Sequence, residues 1–331
     1  SRAWLTGFTG SAGTAVVTMN EAALWTDSRY FLAAAEQLAG TPFKLMKDGI
    51  AATPDIVHWL TSVLHQGDVA GLDGRVNAIA TVEAWSDLLN KNGIRLETMN
   101  DPFDAIWQGR PQLPQNAVDI QPLEFSGESV ASKIERLRGC LQSTGATARL
   151  VTALDEVAWL VNLRGSDAHC NPVFVAYCVV LQEEIRLYID KAKLTEPAIR
   201  HLLSERVSLR FYDDIETDLR TLKHATVLLA PETNAWLAKI AAMNNRIVRA
   251  ASPVAALKAV KNKAEMSGFR RAMLRDGVAL TRFFRWLKPA VKAGGITEMD
   301  VDRKLTSLRA EQPLFRGISF DTIAGYGDHG A

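Results

Sequence analysis

The chain repeats itself. Ala3-Trp4-Leu5 is followed within a few residues by a glycine loop, a strand-like Thr14 to Thr18, a polar turn at Asn20-Glu21, a second strand-like run Ala22 to Thr26 and a helix opening at Asp27. Ala158-Trp159-Leu160 begins the same series, with glycine at Gly165, a strand-like Val173 to Leu181, a turn at Gln182-Glu183-Glu184, a strand-like Ile185 to Ile189 and a helix after Asp190. Each copy alternates strand and helix periods in the same order, so each must bury the same faces. The duplication therefore predicts two similar α/β domains.

The copies differ at their start. Ahead of the second, Val130, Ile134, Leu137 and Leu141 recur at helical spacing, Gly145 ends the run, and a strand follows near Ala148 to Thr152. The first copy has no such lead-in, because its tryptophan already stands at position 4. A sheet deprived of that helix and strand would expose an apolar face, and the pattern predicts that residues precede Ser1. Between the copies, Arg110-Pro111-Gln112-Leu113-Pro114-Gln115 has the proline punctuation of a linker, and Ser252-Pro253 breaks the pattern again. We therefore expect domains at 1–115, 116–252 and 253–331. The last opens on Asn262-Lys263-Ala264-Glu265, a capping-box pattern, and continues with Met266, Phe269, Met273, Leu280, Phe284 and Leu287 on a helical stripe. A second helix starts at Thr297-Glu298-Met299-Asp300 and runs to about Gln312; a strand-like Gly317 to Ala324 and a glycine turn close the sequence. The expected class is α/β, becoming α+β in this last segment, and two helices with one strand do not complete a domain.

Composition excludes several classes. With 331 residues, 47% hydrophobic and 23% charged, the chain can build more than one core. Its longest apolar runs fall well short of the roughly 20 residues that span a bilayer, and the first residues lack a basic-then-apolar leader pattern, so no membrane partner is expected. Cys140, Cys170 and Cys178 are odd in number and fit no CxxC spacing, which suits a reducing compartment and a cytoplasmic protein. The net charge of +1 gives no global attraction to nucleic acid. Lys258 to Lys292 does carry ten basic residues against Glu265 and Asp276, a pattern we read as the solvated face of a helix rather than a phosphate-binding surface.

The polar motifs yield no complete chemistry. Gly7 to Thr14 is glycine-rich, yet it lacks the GK[ST] ending of a phosphate loop and leads into a strand, so it reads as a tight turn beside a site. Asp27 stands where a carboxylate caps a helix start, and Arg29 is either solvated or a donor fork for a substrate carboxylate. His169 and Cys170 are neighbours, but a nucleophilic pair needs spatial contact and a third, orienting group. The six histidines form no HxxxH or HExxH, and the acidic pairs Glu183-Glu184 and Asp213-Asp214 fall in turns.

Six segments together nevertheless carry a resemblance: WLTGFTGSAGTAVVT, ALWTDSRYFLAAAEQL, TALDEVAWLVNLRGSDAHCNPVF, AVKNKAEMSGFRRAMLRDGVAL, GITEMDVDRKL and SFDTIAGYGDHGA. In this order they resemble the three-domain aminopeptidase P (Xaa-Pro aminopeptidase) type of the creatinase/prolidase metallopeptidase superfamily. The resemblance implies two creatinase-type N-terminal domains, then a pita-bread catalytic domain. It also implies two divalent ions, usually manganese, that activate a bridging water for cleavage ahead of proline, peptide substrates with proline at the second position, and a homodimer. In that family the catalytic histidines and the carboxylate ligands follow the glycine turn at which this sequence stops, and an additional helix and strand precede its first tryptophan. The expectation is that these 331 residues contain no metal ligand or catalytic residue and are inactive alone. His329 stands where the family commonly has asparagine, so no catalytic role is carried over to it. By the same resemblance Phe8, Thr9, Ser11, Arg29 and Tyr326 are substrate-proximal candidates. The family's Asp-Gly-Arg-Tyr is Asp27-Ser28-Arg29-Tyr30 here, and Ser28 would be strained if that position required positive φ. A prolidase or creatinase-like hydrolase and a noncatalytic binding scaffold are the alternatives.

Overall fold

Strand-forming sequence recurs five times in the first hundred residues, and each run finds a neighbour. The computed structural model describes residues 1–330 and divides them into two units, Ser1–Arg110, with which Gly327–Gly330 groups, and Pro111–Tyr326. In the first unit the strands are β1 (Thr14–Val17), β2 (Ala22–Thr26), β3 (Phe43–Lys47), β4 (Val69–Asp73) and β5 (Arg95–Met99). β1 pairs antiparallel with β2, with Thr14 opposite Trp25, and β2 pairs parallel with β3, while β4 and β5 form a separate parallel pair. Helices Ile56–Val63 and Ile79–Asn90 cover one face. There Ala23 and Trp25 of β2 meet Val57, Trp59, Leu60, Leu89 and Ile94 in one buried cluster. Trp25 packs edge-on against Trp59 at 5.3 Å, and its indole N–H donates to the Pro54 carbonyl at 2.8 Å, so the aromatic is buried without an orphaned donor.

The second unit holds β6 (Asp119–Ile120), β7 (Ala148–Val151), β8 (Leu163–Arg164), β9 (Tyr177–Leu181), β10 (Ile185–Tyr188), β11 (Val207–Arg210), β12 (Thr226–Leu229) and β13 (Arg246–Arg249). Six of these form one mixed sheet in the order β11-β10-β9-β7-β12-β13. The duplication is visible in this order. β9, β10 and β11 repeat the antiparallel-then-parallel arrangement of β1, β2 and β3, and the parallel pair β12-β13 repeats β4-β5. In the second unit β7 joins the two halves by pairing with β9 on one side and β12 on the other. Among the described residues the first unit has no counterpart of β7, and its sheet stands in two parts. Both copies also place an aspartate at the start of a single 3₁₀ turn. Asp27 caps Ser28–Tyr30 by accepting from the Arg29 amide, and Asp190 caps Lys191–Lys193 by accepting from the Ala192 amide.

The sheet of the second unit is lined by Val130, Ile134, Leu137 and Leu141 of helix Val130–Ser143, the residues whose spacing marked that helix. Beyond it, Ser252 caps helix Pro253–Ala259, and Asn262 caps the 31-residue helix Lys263–Ala293 through a complete capping box with Glu265. Asn262 also donates to the Ser126 carbonyl at 2.7 Å and Trp159 donates to Glu265 at 3.3 Å, so the long helix is anchored at its first turn. The helix then packs on Glu298–Ala310 through Ala279, Phe283, Leu305 and Leu308.

Two expectations are corrected here. The stripe on the long helix is not one core face: Leu280 and Leu287 pack beside Phe283, whereas Met266, Phe269, Met273 and Phe284 are exposed. The shorter helix covers only one side of the long one, which leaves the other apolar row uncovered among the described residues. Gly317–Ala324 is not a strand either. An extended run becomes a strand only where a neighbour takes its amides and carbonyls, and no strand of the described residues lies beside it.

Candidate functional site

The glycine loop of the first unit is built from below. Helix Arg2–Thr6 ends at Gly7, whose φ of 76° turns the chain back so that its amide reaches the Ala3 carbonyl. Phe8 is thereby driven inward. Its ring is fully buried with Leu24, Ala34 and Leu38 and lies edge-on to Tyr30 at 5.9 Å. Gly10 crosses directly over that ring, where a β-carbon would sit 2.2 Å from Phe8 Cζ, so only glycine fits. Arg2 reaches back to the carbonyls of Gly10 and Gly13 and holds the loop closed from the other side.

With Phe8 as its floor, the loop presents Thr9 and Ser11 outward. The Thr9 amide donates to Gln37 Oε1 at 3.0 Å, and the Gln37 Nε2 donates back to Thr9 Oγ1 at 3.1 Å. Ser11 Oγ and the Tyr30 hydroxyl are 2.5 Å apart, and this bond pulls the Tyr30 phenol below its ordinary range. Arg29 lies at the same edge, with its guanidinium 5.2 Å from the Tyr30 ring centre. It is engaged rather than free: Asp27 accepts its Nε and Nη2, both at 2.8 Å. This fork lowers the Asp27 carboxyl and raises the Arg29 guanidinium. Asp27 is thus both cap and counter-ion. Ser28 is not among the residues with positive φ, so replacing the family's glycine strains nothing here. Loop, tyrosine and arginine–aspartate pair form one exposed polar rim that Thr9, Ser11 and Arg29 share, while Phe8 supports it from inside.

Tyr326 lies in the second unit. Its side chain is 85% exposed and its amide donates to Glu298 at 3.2 Å. Other carboxylates on and beside the last two helices are already paired. Asp300 is held down to about 2 by the Thr297 amide it caps and by Arg303, Asp276 pairs with Arg309, and Glu311 pairs with Arg282. Among the described residues, Asp276, Asp300 and Glu311 do not gather with a histidine on one centre. Two charges of the basic run are paired in the same way, Arg282 with Glu311 and Lys258 with Asp155.

His169 and Cys170 do acquire a third group, which their adjacency did not reveal. Asp321, some 150 positions away, places Oδ1 2.7 Å from His169 Nε2 and 3.7 Å from Cys170 Sγ. The carboxylate contacts both thiol and imidazole, and desolvation together with its negative charge raises the Cys170 thiol. An activated nucleophile requires the opposite shift, so this arrangement does not favour a catalytic thiolate.

Other residues that matter carry no sequence signal. Gln37 holds Thr9 through an exposed helical position, and Arg2 holds the loop from a five-residue helix. Arg149 is 1% exposed, donates to the Leu228 carbonyl and Ser252 Oγ, both at 3.2 Å, and lies 3.6 Å from Glu156. This buried network fixes Ser252, the cap of helix Pro253–Ala259, to the sheet.

Comparisons with known proteins agree with this architecture. The family described as Creatinase/Prolidase N-terminal domain matches residues 1–106 and, by a second description of the same name, residues 109–265. Metallopeptidase family M24 matches residues 267–331. The chain is 40% identical over 340 residues to a probable Xaa-Pro aminopeptidase P of Laccaria bicolor, covering 100% of this chain and 52% of that protein. It is 39% identical over 336 residues to a probable Xaa-Pro aminopeptidase P of Leptosphaeria maculans, covering 97% of this chain and 55% of that one. The chain thus spans about half the length of the curated relatives it matches. Among solved structures, the X-prolyl aminopeptidase of Caenorhabditis elegans, described as a cytosolic enzyme with a di-nuclear active site, superposes with a TM-score of 0.91 at 34% identity, over 97% of this chain and 54% of that one. Two creatinase-type sheets in series, the second leading through a capped helix into the matched metallopeptidase segment, place the chain in the creatinase/prolidase family of M24 metallopeptidases.

Proposed function

We propose that this chain serves a metal-dependent Xaa-Pro aminopeptidase, which releases the N-terminal residue of peptides with proline in second position. The observation that carries the reading is the likeness to a solved X-prolyl aminopeptidase, a TM-score of 0.91 over 97% of the chain at 34% identity. A fold shared with several hydrolases would not distinguish among them, whereas this identity over nearly the whole chain goes beyond a shared fold. The chain is organised as domain I to residue 115, domain II over 116–252 and the opening of the catalytic domain from 253.

Proline explains the need for such an enzyme. Its nitrogen forms a tertiary amide with no N–H to bind, and two divalent ions of the manganese class would, when bound, supply polarisation of the scissile carbonyl and hydroxide near neutral pH. The present chain contributes recognition. Thr9, Ser11 and Arg29 form the polar rim of domain I that meets the peptide, Phe8 shapes that rim from below, and Tyr326 borders the site mouth. Arg29 is paired with Asp27 through Nε and Nη2, so a substrate carboxylate meets its remaining N–H groups or displaces Asp27. The assembly is a cytoplasmic homodimer acting on peptides, with no nucleic acid or membrane partner. The 331 residues alone are expected to be inactive.

The test compares Xaa-Pro-Xaa tripeptides with Xaa-Pro dipeptides, using the full-length protein loaded with manganese. Release of the first residue from tripeptides is expected. Cleavage confined to dipeptides would make the protein a prolidase, and cleavage of neither would leave a noncatalytic scaffold; both results refute the proposal.

A further inference from the structure

Two adjacent side chains on extended backbone point to opposite sides. His169 and Cys170 do not behave this way, because Cys170 adopts φ 60°, a left-handed conformation uncommon for a residue with a β-carbon. The Asn171 amide closes the turn on the Ala168 carbonyl at 3.1 Å, and Asn171 Nδ2 donates to the His169 carbonyl at 3.0 Å. The turn therefore sends imidazole and thiol to the same side, where Asp321 arrives on the segment that follows helix Glu298–Ala310.

Among the described residues these three are the one group of His, Cys and acidic side chains whose ligand atoms all lie within 4.8 Å of one another. Bonds of about 2.0 to 2.3 Å in a tetrahedral zinc site imply ligand-to-ligand separations of about 3.3 to 3.8 Å. The thiol and carboxylate already stand 3.7 Å apart, and the imidazole and carboxylate at 2.7 Å need to open by roughly 0.6 Å to admit an ion. His169 and Asp321 are 74% and 68% exposed, so rotamer changes supply that opening and an ion can enter from solvent. A plain surface ion pair between the two would be worth little and would not involve the cysteine. One sulfur, one nitrogen and one oxygen donor select a borderline ion over hard magnesium or manganese.

We propose that His169, Cys170 and Asp321 bind a single divalent transition-metal ion of the zinc class, which clips the segment around Asp321 to the loop that carries His169 and Cys170. On binding, the Cys170 thiol loses its proton to solvent as the sulfur–metal bond forms. His169 coordinates through neutral Nε2, the carboxylate exchanges its hydrogen bond for the ion, and water fills the fourth position. The inference stands on these three side chains and does not depend on the peptidase reading.

The 331-residue chain, reduced and stripped of metal, is titrated with Co²⁺ as a spectroscopic stand-in and then with Zn²⁺. One equivalent of Co²⁺ should give a thiolate-to-cobalt charge-transfer band, which Zn²⁺ abolishes. Cys170→Ser should remove the band, and Asp321→Asn should weaken binding by about tenfold or more, while Cys140→Ser should leave both unchanged. Bound Zn²⁺ should also slow tryptic cleavage at the exposed Arg316 in the parent chain but not in Asp321→Asn. A band that survives Cys170→Ser, affinity indifferent to Asp321→Asn, or no uptake at all would overturn the proposal. Circular dichroism of each variant confirms that it folds.

Discussion

Lys133 offers a test of how burial acts on charge in the second unit. Its side chain is 1% exposed, and its ammonium donates to the Trp159 carbonyl at 2.8 Å and to Asn162 Oδ1 at 2.7 Å, 4.2 Å from the centre of the Trp159 ring. None of these partners is a carboxylate. Burial, reinforced by the positive charge of Arg164, brings the ammonium from 10.5 down to about 8. Between those values the unfolded chain holds a proton that the folded chain has lost, so stability rises with pH by about 1.4 kcal/mol per pH unit, about 3 kcal/mol in all. Cys178 opposes this at higher pH. Fully buried, its thiol is pushed from 9.0 to about 12, so above pH 9 the unfolded chain ionises first and stability falls at a similar rate. The parent chain should gain stability from pH 8 to 9 and then level off. Lys133→Met removes the rise and keeps the fall. At pH 7 its relief from charge burial is offset by two orphaned acceptors, at about 1–3 kcal/mol each. Urea unfolding followed by circular dichroism at pH 7, 8, 9 and 10 should give two curves whose separation changes by about 3 kcal/mol across the series. Parallel curves would mean that Lys133 is solvated and would refute the reasoning.

Two further substitutions probe the anchors described above. Gly10→Ala forces a β-carbon to 2.2 Å from the buried Phe8 ring, and the thermal midpoint of the first unit should fall by an amount equivalent to about 1–3 kcal/mol; an unchanged midpoint would show that the loop does not rest on that ring. Asn262→Ala removes both the cap of helix Lys263–Ala293 and the bond to Ser126, and should cost about 1–2 kcal/mol in urea unfolding. Asn262→Asp keeps the cap and should lie between parent and alanine variant, an order that a purely helical effect would not produce.

What could be read from the sequence was whatever is written in local periodicity. Val130, Ile134, Leu137 and Leu141 announced a helix because a 3.6-residue period needs no knowledge of the partner surface, and all four are buried as that period requires. Asp27, Asn262 and Thr297 marked helix starts for the same reason, since a cap satisfies amides within its own turn. Partnerships across the chain had no such signature. Arg29 looked equally suited to solvent or substrate, and only the folded turn shows Asp27 taking Nε and Nη2 of its guanidinium. Asp321 meets His169 across 152 positions, and its own neighbourhood looked like a strand because extended sequence does not say whether a ladder partner exists.

The two copies of the repeat make the same point about burial. Strands β1 and β9 occupy equivalent places and both read as apolar runs, TAVV and YCVVL. In β9 the three central residues are buried, because β7 pairs along one edge and β10 along the other. In β1 no residue is fully buried and Val17 is 57% exposed, because β2 is its one strand neighbour among the described residues. Period-2 patterning is set by which face a side chain takes, whereas burial of the whole strand depends on what lies along its edges and over its faces. The sequence of a strand carries the first kind of information and not the second. That is why the duplication was legible from two tryptophan-led segments, while the difference in how completely each copy is enclosed became visible only in the order of the strands.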